Sequence, residues 1–146
     1  MLSDSLKTLL ATNFAYYLKA QGCHWNVEGP DFAQLHEFFQ AIYEDAYSAV
    51  DPIAEYVRSL NDYAPASFER FSELTEIQGQ TKIPRARLMI EELVSNNDSM
   101  IVLLNRCFAE ATAENYQGIA NFLAERLSQH GKYGWQLASF LKDARA

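Results

Sequence analysis

The sequence predicts an all-α protein, a four-helix bundle in which one long crossover carries a short helix. Three observations point there. The stripe Phe32, Leu35, Phe39, Ile42, Ala46, Val50, Ile53, Val57 and Leu60 keeps a three-to-four-residue spacing over about eight helical turns. A Gly29-Pro30 break and a very short link near residue 112 mark two tight reversals. Between the two hairpins so defined lies the connection "NDYAPASFERFSELTEIQGQTK", residues 61–82. It is long enough to bring the second hairpin back from the far end of the bundle.

Taken in order, residues 3–26 read as the first helix, with Leu6, Leu10, Phe14 and Tyr17 near helical spacing. Gly29-Pro30 stops it. Asp31 opens the second helix, 32–60, with Gln34 placed as in a capping box. Pro52 sits inside this helix, so the Ser48 carbonyl loses its donor and the axis bends. The crossover holds a short helix around Ser67–Thr75. The third long helix spans about 83–111 with Pro84 in its first turn. The fourth spans about 113–142, after a connector of one or two residues.

The 146 residues form a single domain, 1–146, large enough for a full core. With 49% apolar and 21% charged residues, the composition is that of a soluble globular chain. A formal charge of −7 argues against an intrinsic nucleic-acid surface. No apolar run approaches a membrane span, and the N-terminus lacks the basic and apolar regions of a signal peptide. A cytoplasmic location without membrane association is expected. Cys23 and Cys107 form no framework or CxxC pair and read as buried reduced thiols.

Chemistry concentrates in "QGCHWNVEGPDFAQLHEFF", residues 21–39, which holds His24 and His36 on either side of the break. A second stripe of the long helix is not apolar: His36, Gln40, Tyr43, Tyr47, Asp51, Glu55 and Arg58. Asp51 and Glu55 are spaced i, i+4, close enough to share a cation. They cannot meet His36 in the same chain, because fifteen residues of helix span about 22 Å. His24 lies beside the start of the second helix and is equally remote. An isologous dimer with its twofold axis near Tyr43 solves this. Each His36 end then faces the partner's Asp51 end, giving two identical sites. A mixed N/O donor set suits Fe, Mn or Zn better than Ca or Mg. The spacing alone leaves the simpler alternative open, in which the histidines cap helix ends and the carboxylates are merely solvated.

"HWNVEGPDFAQLHEFF" followed by "VDPIAEYV" resembles the Dps-type mini-ferritins, and the match in element order covers nearly the whole chain. The resemblance implies a ferritin-like bundle assembled from twofold dimers into a hollow dodecamer. It implies ferroxidase centres at the dimer interfaces that oxidise Fe(II) with hydrogen peroxide or oxygen. The ferric mineral (Fe3+) is stored inside, protecting against oxidative damage. Matched by position, His24 and His36 come from one chain and Asp51 and Glu55 from its partner, with Trp25 an oxidisable neighbour. The larger ferritins' Glu-x-x-His is absent from the sequence.

One position departs from the family pattern. Gln40 stands where an aspartate is usual, which weakens the second iron position, and Glu44 one turn on is a candidate partial substitute. A structural or DNA-compacting cage with a vestigial metal centre is therefore the alternative function, and a plain helical interaction module a third. Direct DNA binding is expected to be weak or absent. The first helix carries only Lys7 and Lys19, and the short C-terminus offers Lys142 and Arg145. His130, on the apolar face of the fourth helix with Leu123 and Leu137, reads as a satisfied core histidine, and Gly134 as a close-packing position. Trp135 and the many tyrosines read as packing and not as electron relays, with Tyr43 and Tyr47 near the twofold the exceptions. Glu110 and Glu114, near the last turn, are candidates for lining an ion-entry pore.

Overall fold

A computed structural model describes residues 1–143. Its helices are α1 (Leu2–Asn26), α2 (Phe32–Ser48), α3 (Val50–Ser59), α4 (Phe68–Leu74), α5 (Ala86–Ala113) and α6 (Gln117–Phe140). No strand occurs among the described residues. α1 packs on α2 and α3, α5 on α6, and α1 on α5, with α4 lying across α1. This is the expected all-α bundle, with a long crossover carrying a short helix. No described helix is long and apolar enough to cross a membrane.

The predicted second helix, 32–60, is interrupted at Ala49, giving α2 and α3. Pro52 has no N–H to give the Ser48 carbonyl; at the same interruption the Ala49 N–H bonds the Ala46 carbonyl at 3.2 Å, and the ladder resumes at Ile53 to Ala49. Leu35, Phe39, Ile42, Ala46, Ile53 and Val57 of the stripe are buried as their spacing requires. Phe32 is not: it is 44% exposed and stacks on His36, with centroids 4.9 Å apart. The helix ends at Asn61 and Asn115 close in the same way. Each asparagine takes a positive φ (65° and 64°), and the next N–H returns to Val57 and Ala111 respectively. Those are Schellman caps with asparagine replacing the usual glycine.

Several expectations are corrected. Asp31 is the N-cap of α2 but its side chain makes no capping bond; Ser67 does cap α4, accepting from the Arg70 N–H at 3.2 Å. Pro84 lies before the N-cap Arg85 instead of inside the first turn of α5. The α5–α6 connector is Glu114–Tyr116, one residue longer than expected, because the Asn115 cap needs the room. Trp135 is 66% exposed and does not pack in the chain's own core. Both cysteines are buried, and burial pushes their thiols up to about 12.

The middle of the bundle holds a polar network. Arg126, 8% exposed, donates from Nη1 and Nη2 to the two carboxylate oxygens of Asp45, at 3.1 and 2.7 Å. Its Nη2 also reaches His130 Nε2 at 3.2 Å, while His130 Nδ1 meets Asn97 Oδ1 at 2.8 Å. Because guanidinium only donates, His130 accepts at Nε2, carries its proton on Nδ1 and is neutral. Burial, and then Arg126, push its pKa down to about 3. Asn97 returns a bond to the His130 carbonyl and accepts from the Tyr16 hydroxyl. Gly134 leaves space for this: a Cβ there would stand 3.1 Å from Asn97 Nδ2. Four helices are thereby pinned in register, and His130 is the satisfied core histidine its position suggested.

Candidate metal centre

The Gly29-Pro30 corner builds the histidine end. Gly29 takes φ +113°, a conformation that costs a residue with a Cβ far more, and the chain reverses between Asn26 and Phe32. The C-terminus of α1 is thus laid beside the N-terminus of α2.

His24 and His36 meet there face to face, with ring centroids 3.8 Å apart and planes inclined by 16°. Each Nδ1 lies 2.7 Å from the other residue's backbone carbonyl oxygen. A carbonyl only accepts, so both Nδ1 atoms carry protons. With Nδ1 so engaged, Nε2 is the nitrogen each ring has left for a ligand, and neither Nε2 has a hydrogen-bond partner among the described residues. Backbone support of one ring nitrogen, leaving the other as donor, is how metal-binding imidazoles are oriented. Both rings are only partly buried.

Asp51 lies in the first turn of α3 and Glu55 one turn on. Both are exposed, and neither makes an ion pair or hydrogen bond among the described residues. Arg58, the nearest cation on the stripe, instead lies 4.7 Å over the Tyr63 ring. Gln40 donates to Glu44 Oε1 at 2.8 Å. One chain thus brings the two imidazoles together but does not bring the carboxylates to them. No group of three or more histidine, cysteine or acidic side chains placed to hold an ion occurs among the described residues.

Sequence reasoning missed Tyr17. Its ring lies 6.3 Å from Tyr43 and 5.0 Å from Tyr47, and Tyr43 is 5.2 Å from His24. Burial, followed by the neighbouring Tyr47 and Tyr43 hydroxyls, raises the Tyr17 pKa. The signal was present in the spacing: residues 17, 21 and 24 share a face of α1, as 36, 43 and 47 do on α2. Glu110 and Glu114, the pore candidates, hold the start of α1. Glu114 accepts the Leu2 N–H at 3.2 Å and Glu110 the Ser5 hydroxyl at 2.9 Å.

A family model described as a ferritin-like domain matches residues 3–146. An uncharacterized low temperature-induced protein of Nostoc sp. is 32% identical over 136 residues, 91% of this chain and 75% of its own length. A nutrient stress-induced DNA-binding protein of Nostoc sp. is 30% identical over 141 residues, 96% of this chain and 77% of its own. The crystal structure of a Dps protein from Vibrio cholerae O1, described as one of the ferritin-like diiron-carboxylate proteins, superposes with a TM-score of 0.92. It shares 26% identity and covers 97% of this chain and 89% of its own.

Proposed function

The chain belongs to the ferritin-like family as a Dps-type mini-ferritin, and from that premise we propose that it is a ferroxidase and iron-storage cage. Iron storage and protection from oxidative damage are the general role of this family. The finer reading is that a homo-oligomeric, dodecameric cage oxidises Fe(II) with hydrogen peroxide at centres shared across its twofold dimers. Each centre takes His24 and His36 from one chain and Asp51 and Glu55 from the partner.

The observation that carries this reading is the reciprocal lock between the stacked imidazoles, which leaves both Nε2 atoms without a partner among the described residues. The carboxylates supply two negative charges, which stabilise Fe(III) more than Fe(II) and so favour the oxidised ion. Peroxide-dependent oxidation of added Fe(II), with elution as a dodecamer, tests the proposal. A cage that leaves Fe(II) unoxidised would instead support the structural reading with a vestigial centre, which Gln40 alone favours.

Gln40 sets the second metal position. Its amide is neutral and its NH2 is already committed to Glu44. Gln40→Asp replaces that bond with an i, i+4 pair of carboxylates, whose repulsion a cation relieves. The variant is expected to tighten the weaker of two Fe(II) binding events by about tenfold, a change of about 1.4 kcal/mol. It should also speed oxidation. Anomalous diffraction from iron-soaked crystals reads the occupancy, and two fully occupied irons in the unaltered centre would refute the handicap.

DNA is not proposed as a direct partner. Lys7 and Lys19 are engaged with Asp62 and Glu92 at 2.8 and 3.0 Å. Lys142 is exposed, and Arg145 lies outside the described residues. A gel shift in about 150 mM salt, where phosphate contacts weaken, should show free DNA. A tight, magnesium-independent complex would overturn this.

A further inference from the structure

We propose that Asn13 is a positioning residue for the metal centre: by clamping the end of α2 to α1, it sets where Asp51 and Glu55 stand when they meet the imidazoles of a second chain. The proposal rests on the shared-centre reading above.

Asn13 lies midway along α1 and is buried. Its Nδ2 donates to the Ala46 carbonyl at 2.9 Å. That carbonyl belongs to the last turn of α2, where the helical ladder fails. The Ala49 N–H reaches back three residues to the same oxygen at 3.2 Å, and Pro52 has no N–H for Ser48. A carbonyl has two lone pairs, so it takes both donors. Because it only accepts, the amide nitrogen must face it, and Asn13 Oδ1 is left buried with no hydrogen-bond partner among the described residues. Leucine has nearly the same shape and would leave no acceptor unpaired. Packing alone therefore does not account for an amide at this position. A directional hold on the end of α2 does.

The carboxylates need such a hold. Ile53 and Val57 anchor α3 in the core, but apolar burial is non-directional and lets a helix tilt. The α2 turn before the interruption is fixed toward α6 by Asp45, whose carboxylate receives Arg126, and toward α1 by Asn13. The lever is short for Asp51 and long for Glu55. They stand two and six residues beyond Ala49, about 3 and 9 Å along the helix. A change of about 10° in the direction of α3 at Ala49 moves Asp51 by about 0.5 Å and Glu55 by about 1.5 Å. Metal–donor distances tolerate about 0.2 Å. Loss of the clamp is felt first at Glu55.

Asn13 acts on the carboxylates of its own chain, whereas the imidazoles come from the other, and that asymmetry supplies the test. In cages co-assembled from a His24→Ala/His36→Ala chain and an Asp51→Ala/Glu55→Ala chain, each mixed dimer has one complete site. Asn13→Leu in the first chain, which supplies the carboxylates, is expected to weaken Co(II) binding at that site by about tenfold or more, the effect of losing support for metal ligands. Fe(II) oxidation should slow with it. In the second chain, which supplies the imidazoles, the same substitution should leave Co(II) affinity unchanged. A general loss of stability would act alike from either chain. Thr12→Val removes a neighbouring bond, from the Glu76 N–H to α1, and should weaken binding from neither chain. If Asn13→Leu fails to assemble, Asn13→Ser, whose hydroxyl is one bond short of the Ala46 carbonyl, carries the same comparison. Equal loss from both chains, a loss matched by Thr12→Val, or no loss from the first chain overturns the clamp and leaves the shared centre standing. A mixed cage that binds no Co(II) before Asn13 is changed overturns both.

Discussion

Cages assembled from equal amounts of a His24→Ala/His36→Ala chain and an Asp51→Ala/Glu55→Ala chain are expected to oxidise Fe(II) at about a quarter of the unaltered rate, although each parent cage is nearly inactive. The fraction follows from isologous pairing: half of the dimers combine the two chains, and each of those has one complete site of its two. The physical basis is distance along a rigid helix. The imidazoles sit at the Gly29-Pro30 corner, and Asp51 and Glu55 lie fifteen residues or more further along the α2–α3 rod, about 22 Å away. Within one chain no described acidic group completes the histidine pair. Native mass spectrometry establishes co-assembly, and stopped-flow absorbance measures the rate. Recovery absent from a proven mixed cage would mean that the centre is not shared between chains.

Removing the Asp45 carboxylate should cost more stability than any surface change. Arg126 is 8% exposed, and Asp45 receives two of its N–H groups. Asp45→Ala would leave a buried guanidinium without a counterion, a loss of about 3–5 kcal/mol. The remaining contact, to His130 Nε2, is with a neutral acceptor and cannot compensate. Asp45→Leu/Arg126→Met, which removes both charges and keeps apolar volume, should recover most of the loss. Denaturant unfolding of both variants measures the difference. A cost below about 1 kcal/mol for Asp45→Ala, the range of exposed ion pairs, would show that water reaches the pair.

Local chemistry explains how much of the fold was legible. Helical spacing, the Gly29-Pro30 stop and the Pro52 bend act over a few residues, so the sequence states them directly. The ends of elements were less legible. Asp31 and Pro84 have the residue types of cap and first-turn positions, yet the chain uses neither in that way. The Asn61 and Asn115 caps went unseen because asparagine takes a positive φ only where the surrounding chain demands it.

The sequence by itself determined the all-α bundle, the hairpin that pairs His24 with His36, and the separation of those imidazoles from Asp51 and Glu55. All three follow from rise per residue and from where a helix must stop. Only the tertiary structure decided which atoms meet. The reciprocal Nδ1 bonds to backbone carbonyls, the bonding of Gln40 to Glu44, the Tyr17 bridge between Tyr43 and Tyr47, and the Asp45–Arg126–His130–Asn97 network join residues of different helices or depend on rotamers. Periodicity places a side chain on a face. It does not say which neighbour that face will touch, because that depends on how helices distant in sequence pack together.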